Sequence, residues 1–354
     1  MFPLRGVQLR VARSRVWRSR QVRLKSSALA VFACPTCEQV LRAAEAQWLC
    51  SCCGTSYPVE DGVPRFVPPQ NYALSFGYQW NVHGKTQLDS HTGLPISRHR
   101  FFEATQWPEN LEGQLILEAA SGAGRFTEVL AGTGATVYSF DLSRAVEANR
   151  ANNGHYPNLT LFQADLCRLP LVKQAFDKVV CLGALQHTPD PERAFRSLAQ
   201  QVRPGGQLVI DIYRRSLPAL LQWKYLLRPI TRRIAPESLY RWVRRAVPPL
   251  VPIAAGLRRL AGRAGARLVP IVEYSHLGLR PELNVEWAVL DTFDMYSPAH
   301  DHPKSLEEVN RWCVEAGLAE IEVGPGQNGV VARARRPTGI VTPSSGCADV
   351  RHSR

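Results

Sequence analysis

Residues Gln114-Leu-Ile-Leu-Glu118 run directly into Ala119-Ala-Ser-Gly122-Ala-Gly124-Arg-Phe-Thr-Glu-Val-Leu130, and the reading of this stretch governs the rest. The first five residues are an apolar run ending in an acid, the pattern of a parallel strand buried on both faces. A glycine turn comes next and opens an amphipathic helix. Glycines there let the backbone approach a nucleoside closely. Dinucleotide-binding proteins use a related loop, so the turn alone does not discriminate. In the G-x-G-x-x-G register, however, the third glycine is replaced by Thr127, which argues against a pyrophosphate site.

Downstream, the pattern repeats. Ala135–Phe140 reads as a second strand ending at Asp141, whose carboxylate is placed to chelate two ribose hydroxyls. Ser143 is the expected N-cap of the helix through Arg150. A third strand, Leu159–Phe162, leads to Asp165, an acceptor for an adenine amino group. Phe176–Leu182 reads as the fourth strand, followed by His187 and a helix to Gln201. Val202-Arg-Pro-Gly-Gly206 then turns into a fifth strand, Gln207–Tyr213. Near the C-terminus, Ser305-Leu-Glu-Glu308 is a capping box opening a helix to Gly317. Leu318–Val323 and Val330–Ala334 complete the set as an antiparallel pair.

This ordered series resembles the class I S-adenosylmethionine-dependent methyltransferases over roughly Leu111 to Tyr213. The resemblance implies an α/β fold, a Rossmann-like seven-stranded sheet carrying a helical lid, and S-adenosyl-L-methionine as cofactor. It implies that Glu118, Ala120, Gly122 and Gly124 cradle the methionine part, that Asp141 binds ribose, and that Asp165 with Leu166 holds adenine. Leu142 and Leu182 join the cofactor-binding set. Ala120 departs from the family, which usually has glycine there. No Asn/Asp-Pro-Pro-Tyr/Phe and no Pro-Cys follows the fourth strand, which disfavours amino methylation by that route and cytosine C5 chemistry.

A second module precedes this domain. Five of the nine cysteines crowd between Cys34 and Cys53. Cys34-Pro-Thr-Cys37 and Cys50-Ser-Cys-Cys53 are two C-x-x-C hooks, a spacing suited to a tetrahedral structural Zn2+ at Cys34, Cys37, Cys50 and Cys53. Cys52 is the surplus thiol and a competitor of Cys50. So small a unit has little core, so the metal would supply most of its folding energy. Together with Tyr57-Pro-Val-Glu-Asp-Gly-Val-Pro-Arg-Phe66, the segment from Phe32 to Pro69 resembles the zinc-ribbon subunit that activates tRNA, protein and rRNA methyltransferases. The expected organisation is a basic tail (1–28), the zinc ribbon (29–70), the methyltransferase domain (71–335, with an insertion at 214–300) and a polar tail (336–354).

The chain has 354 residues and a net charge of +13. Eight of the positive charges lie before Ala28, with no acid among them. Thirteen Arg or Lys and only Glu237 lie between Ile212 and Pro270, which leaves −7 for everything else. The Arg-rich start reads either as a mitochondrial transit peptide or as a plain basic tail on a cytoplasmic protein. No stretch reaches the roughly 18 apolar residues of a membrane span. The insertion, interrupted by Pro229, Pro248, Pro249 and Pro252, reads as short basic amphipathic helices forming a lid. Its readings are a solvated cap, a grip on anionic lipid headgroups, or contact with RNA backbone.

Methyl transfer is an in-line displacement, so the protein mainly aligns the acceptor and takes up its proton. His187, directly after the fourth strand, is the first candidate for that role. Tyr296 and His300, in the polar stretch Asp291–Pro303, are the others. The expected activity is O- or C-methylation of a small-molecule or lipid/glycan-type acceptor. RNA base methylation (rRNA or tRNA) and a non-catalytic assembly factor that keeps the fold are the alternatives.

Overall fold

The computed structural model describes residues 31–44, 46–68, 71–215 and 223–339. The expectations for the N-terminal tail, for residues 217–222 and for the last fifteen residues lie outside them. Seven strands form the main sheet: β5 (Leu115–Ala119), β6 (Thr136–Asp141), β7 (Leu159–Gln163), β8 (Phe176–Cys181), β9 (Val202–Ile212), β10 (Ala319–Gly326) and β11 (Gly329–Arg335). Their order is β10-β11-β9-β8-β5-β6-β7. β5 through β9 are parallel, and β11 and β10 run antiparallel to their neighbours. The apolar runs form these strands because both faces are covered; Ile116, Leu117, Val137, Phe140, Phe162 and Val179 are all fully buried. The chain order reverses between β5 and β8, and such a switch point opens a crevice beyond the strand C-termini. This is the Rossmann-like methyltransferase fold.

The helices on the faces are α4 (Arg125–Ala131), α5 (Ala145–Asn153), α6 (Pro191–Ala199) and α10 (Leu306–Glu315). α10 carries the expected capping box: the Ser305 hydroxyl accepts from Glu308 N–H and the Glu308 carboxylate accepts from Ser305 N–H. Local differences have physical causes. Arg144 immediately precedes α5, but Ser143 still caps it: its hydroxyl accepts from the Ala145 N–H at 3.1 Å while donating to Asp141. The expected turn at Val202–Gly206 survives as a bulge within β9: Arg203–Gly206 stand opposite Asp177 alone, with Gly205 at a φ of +77°. Arg336 also belongs to the fold: its N–H donates to Gly206 and its carbonyl accepts from Gly205.

Ahead of the sheet, a small antiparallel sheet is made by β1 (Arg42–Ala43), β2 (Gln47–Leu49), β3 (Ser56–Glu60) and β4 (Val63–Pro64). It is welded to the main domain. The Phe66 N–H donates to the Gln163 carbonyl at 2.9 Å, so the chain after β4 covers the β7 edge that would otherwise present bare backbone. Phe32 is fully buried among Trp48, Phe66, Tyr138 and Phe162, two residues from this small module and two from the main sheet.

Three further helices, α1 (Leu74–Val82), α2 (Asp89–Thr92) and α3 (Ile96–Thr105), lead into β5. The lid is α7 (Trp223–Thr231), α8 (Pro236–Ala266) and α9 (Pro281–Tyr296). The expected breaks at the prolines do not occur. α8 carries Pro248, Pro249 and Pro252 within its 31 residues and loses helical geometry only at Ala261 and Gly262. Val243, Val247, Val251 and Ala254 recur at helical spacing and pack on α9, which outweighs the missing backbone donors. No described helix is long and apolar enough to cross a membrane.

Candidate functional site

The crevice above β5 and β8 is a cavity of about 1400 Å³ roofed by the lid and by α1. One end is built by the glycine loop. Asp141, at the tip of β6 and only 7% exposed, accepts from Gly122 N–H at 2.9 Å, Ser143 N–H at 2.8 Å and the Ser143 hydroxyl at 2.7 Å. Burial raises its pKa and these three donors oppose the rise. One carboxylate thus fixes the loop and still borders the cavity, beside Ala120, Leu142, Leu166 and Leu182. Trp80, from α1, lies over Gly122, where an added Cβ would stand 3.1 Å from the indole. Polar acceptors at a strand tip, a narrow backbone cradle and apolar walls suit a nucleoside with an extended amino-acid arm.

The other expected cofactor residues act from behind. Glu118 does not border the cavity; it is fully buried and accepts from the Thr127 hydroxyl at 2.5 Å, with its other oxygen unpartnered. Burial pushes its pKa up to about 7. Gly124 also faces away, because a side chain there would collide with Asn149 and Asn153 of α5. Asp165 caps its own turn by accepting from Cys167 N–H at 2.9 Å, while Leu166 reaches the cavity.

Ala120 has a φ of +55°, a left-handed conformation that costs an L-residue about 1 kcal/mol. Ala120→Gly is therefore expected to raise the melting temperature by roughly 1–2 °C, the strain relief being partly offset by unfolded-chain entropy. A lowered melting temperature would mean that the methyl group's contacts outweigh the strain.

His187, on a 3-10 turn (Leu185–His187) after β8, also lines the cavity. Its Nδ1 lies 3.0 Å from the His300 carbonyl. A carbonyl cannot donate, so Nδ1 carries the proton and Nε2 is a bare acceptor. That Nε2 is buried without a partner. Burial holds the ring neutral, lowering its pKa to about 4, with the His300 carbonyl opposing. Tyr213 packs edge-on against the ring at 5.4 Å, and the Lys224 ammonium lies 4.4 Å from the centre of Tyr213.

Tyr296 and His300 do not meet His187 as side chains in the cavity. Tyr296 points about half a turn away from the cavity face of α9, and its hydroxyl donates to the Pro270 carbonyl inside the lid core. His300 contributes its backbone carbonyl, while its ring stacks on His302 and meets Tyr72 edge-on. The residues that α9 does aim into the cavity are Trp287, Asp291, Asp294 and Met295. Both carboxyls are raised to about 6, first by burial. Asp291 accepts from the Tyr274 hydroxyl and from Gln87 at 3.2 Å; Asp294 has only a 3.4 Å contact with Gln79. The i, i+3 spacing of Asp291 and Asp294 among apolar neighbours was the available signal, since it sets two carboxylates on one helix face.

In the N-terminal module, one ligand atom each from Cys34, Cys37, Cys50 and Cys53 lies within 4.8 Å of all the others. The Cys34–Cys53 and Cys37–Cys50 sulfur separations are 3.6 and 3.3 Å. A tetrahedral Zn2+ with bonds near 2.3 Å needs sulfur separations of about 3.8 Å, so the donor set fits that ion. Cys52 is exposed and outside the cluster, which selects Cys50 as the third ligand position.

Residues 117–210 match the family model described as a methyltransferase domain. The ubiquinone biosynthesis O-methyltransferase of Methylococcus capsulatus is 30% identical over 212 residues, covering 56% of this chain and 83% of that protein. Proteins of the same name from Pseudomonas fluorescens and Coxiella burnetii are 29% and 32% identical over 152 and 144 residues. Those matches cover 39–40% of this chain and 65% and 59% of the relatives, so the chain spans about three fifths of their length. Among solved structures, an S-adenosylmethionine-dependent methyltransferase from Mesorhizobium loti aligns with a TM-score of 0.40 at 18% identity, covering 69% of this chain and 98% of that one. A complex of the Haloferax volcanii Trm112 methyltransferase activator with a methyltransferase aligns with a TM-score of 0.43 at 14% identity, covering 74% and 97%. With the domain model matched across the glycine loop and strands β5 to β9, and a relative matched over most of its length, the chain belongs to the S-adenosylmethionine-dependent methyltransferases.

Proposed function

We propose that this methyltransferase transfers its methyl group to a hydroxyl oxygen of a small, partly apolar acceptor held between His187 and Asp294, with a structural Zn2+ in the N-terminal cysteine cluster. One observation carries the reading: the cavity that includes the cofactor cradle is also lined by two proton acceptors, His187, whose Nε2 is buried without a partner, and the weakly bonded carboxyl of Asp294. Such a pair suits an acceptor that must lose a proton as it is methylated. S-adenosylmethionine supplies an electrophilic methyl on a sulfonium. Asp141, Ala120, Gly122, Leu142, Leu166 and Leu182 would hold it, with Glu118, Gly124 and Asp165 setting the shape of those loops.

The two acceptors divide the work by their pKa values. His187, neutral down to about 4, is too weak a base to keep a proton near neutrality and orients the hydroxyl by accepting its hydrogen bond. Asp294, raised to about 6, is far better matched as general base. The names of the relatives, O-methyltransferases, support oxygen as the accepting atom.

The test is methyl transfer from labelled S-adenosylmethionine to a panel of alkyl-substituted phenols and catechols. Asp294→Asn should lower kcat/KM about a hundred-fold or more without changing cofactor affinity. In the wild type, kcat/KM should fall as pH drops below about 6, because protonated Asp294 cannot accept a proton. That limb should vanish in Asp294→Asn. Transfer to carbon, or an acid limb that survives the substitution, would sink the assignment.

A further inference from the structure

Helix α7 is inside out. Its buried side chains are Lys224 and Arg228, each 8% exposed, which face Asp301 at 3.0 and 3.5 Å. Its solvent face carries Leu226 and Ile230, 67% and 66% exposed. Water should favour the reverse arrangement, since exposing large aliphatics forgoes burial and burying cations costs solvation. The Arg228 guanidinium also donates to the Pro298 carbonyl, and Thr231 donates to the Tyr296 carbonyl, so this orientation is locked.

Helix α8 repeats the theme. Trp242, Ile253 and Leu260 are exposed, the last by 85%. They are eleven and seven residues apart, about three and two turns, so they form one row along the helix. Beside that row stand Arg241, Arg245 and Arg259, all exposed, and none has an acidic partner among the described residues. Leu268 follows, 67% exposed. Most of the exposed large apolar side chains among the described residues thus belong to the lid.

The lid also frames the way in. Trp223, Arg263 and Arg267 are exposed and at the same time line the cavity, as do Glu103, Arg214, His276 and Gln327, so part of the cavity's opening lies between α7 and the end of α8. An apolar row flanked by unpaired arginines, with Glu237 the only acid from Trp223 to Pro270, complements a surface that is oily beneath and anionic above. We propose that α7 and α8 are a docking face for an anionic phospholipid bilayer, lying in its headgroup layer without crossing it, so that the acceptor reaches the cavity from the membrane. This deepens the reading of the cavity as an acceptor chamber and rests on it; vesicle binding is measured without any acceptor, so the two can fail separately.

The experiment is flotation of the full-length protein with vesicles of phosphatidylcholine alone or with 30% phosphatidylglycerol (about the charge density of an anionic leaflet). Partition is expected only with the anionic vesicles. Leu226→Glu with Ile230→Glu should weaken it at least ten-fold, as should Trp242→Glu with Leu260→Glu. Charge reversal at Arg241, Arg245 and Arg259 should do the same, since each arginine near such a surface strengthens attachment roughly five-fold. These side chains do not border the cavity, so S-adenosylmethionine binding should stay within two-fold and report an intact fold. No partition into anionic vesicles overturns the proposal. So does partition insensitive to the apolar substitutions, tighter binding to an RNA duplex than to the vesicles, or a concentration-dependent dimer that the same substitutions abolish.

Discussion

Asp141→Ala is expected to weaken S-adenosylmethionine binding at least a hundred-fold while leaving a folded protein. The carboxylate does two things at once. It borders the cavity at the tip of β6, and it holds Gly122 and Ser143 by three hydrogen bonds between 2.7 and 2.9 Å. Truncation removes the proposed acceptor for the ribose hydroxyls and leaves the Gly122 and Ser143 N–H groups without their carboxylate partner. Hydrogen bonds to a charged group contribute roughly 1.5–3 kcal/mol each. Losing two toward the cofactor is therefore worth about 3 kcal/mol or more, a factor of at least a hundred in Kd. Asp141→Asn is the sharper companion: its amide still offers one oxygen, but its NH2 group must face either Gly122 N–H or Ser143 N–H. It should bind at an affinity between wild type and Asp141→Ala. Calorimetric titration measures both, with thermal melting alongside to separate cofactor loss from unfolding. An Asp141→Ala protein that melts normally and binds within three-fold of wild type would show that the glycine loop, not this acid, holds the nucleoside.

How far such a site can be read from sequence depends on what each residue answers to. The strands were legible because their neighbours are local in kind: a buried parallel strand must be apolar whatever packs on it, and Leu115–Ala119 and Phe176–Cys181 obey that rule. Asp141 was legible because its place at a strand tip follows from the strand itself. Gly124 was legible as a needed glycine but for a different reason, since its constraint comes from Asn149 and Asn153 on a helix some 25 residues later. The acceptor end was less legible. Tyr296 and Asp294 are two residues apart, and only the helical phase of α9 decides that the carboxylate enters the cavity while the phenol enters the lid core. The inverted α7 was hidden altogether. Its Lys224 and Arg228 read as a solvated face until Asp301, far along the chain, is brought beneath them.

With Zn2+ in the N-terminal cluster as proposed, its removal is expected to lower the melting temperature of the whole protein, in one cooperative transition, by roughly 6–20 °C. The reason lies in Phe32 rather than in the cysteines alone. Its ring is 4.9 Å from Trp48 on one side and 5.2 Å from Phe162 on the other, so it belongs to the small module and to the main sheet at once. Cys34 follows two residues later, and a bound metal would tie its turn to the Cys50–Cys53 turn, adding to the backbone bonds that Cys34 shares with Glu38 and Gln39. Release of the turn withdraws Phe32 from a site where it has no solvent exposure. Emptying such a site costs about 3–5 kcal/mol. At 2–4 °C per kcal/mol for a domain of this size, that loss alone is worth roughly 6–20 °C. Cys34→Ser and Phe32→Ala should each reproduce the effect of a chelator, the second with zinc still bound. Cys52→Ser should not, because that thiol is exposed and outside the cluster. Scanning calorimetry with metal analysis decides the matter: a separate low-temperature transition for the ribbon, with the main melt unmoved, would show that the module sits on the domain without sharing its core.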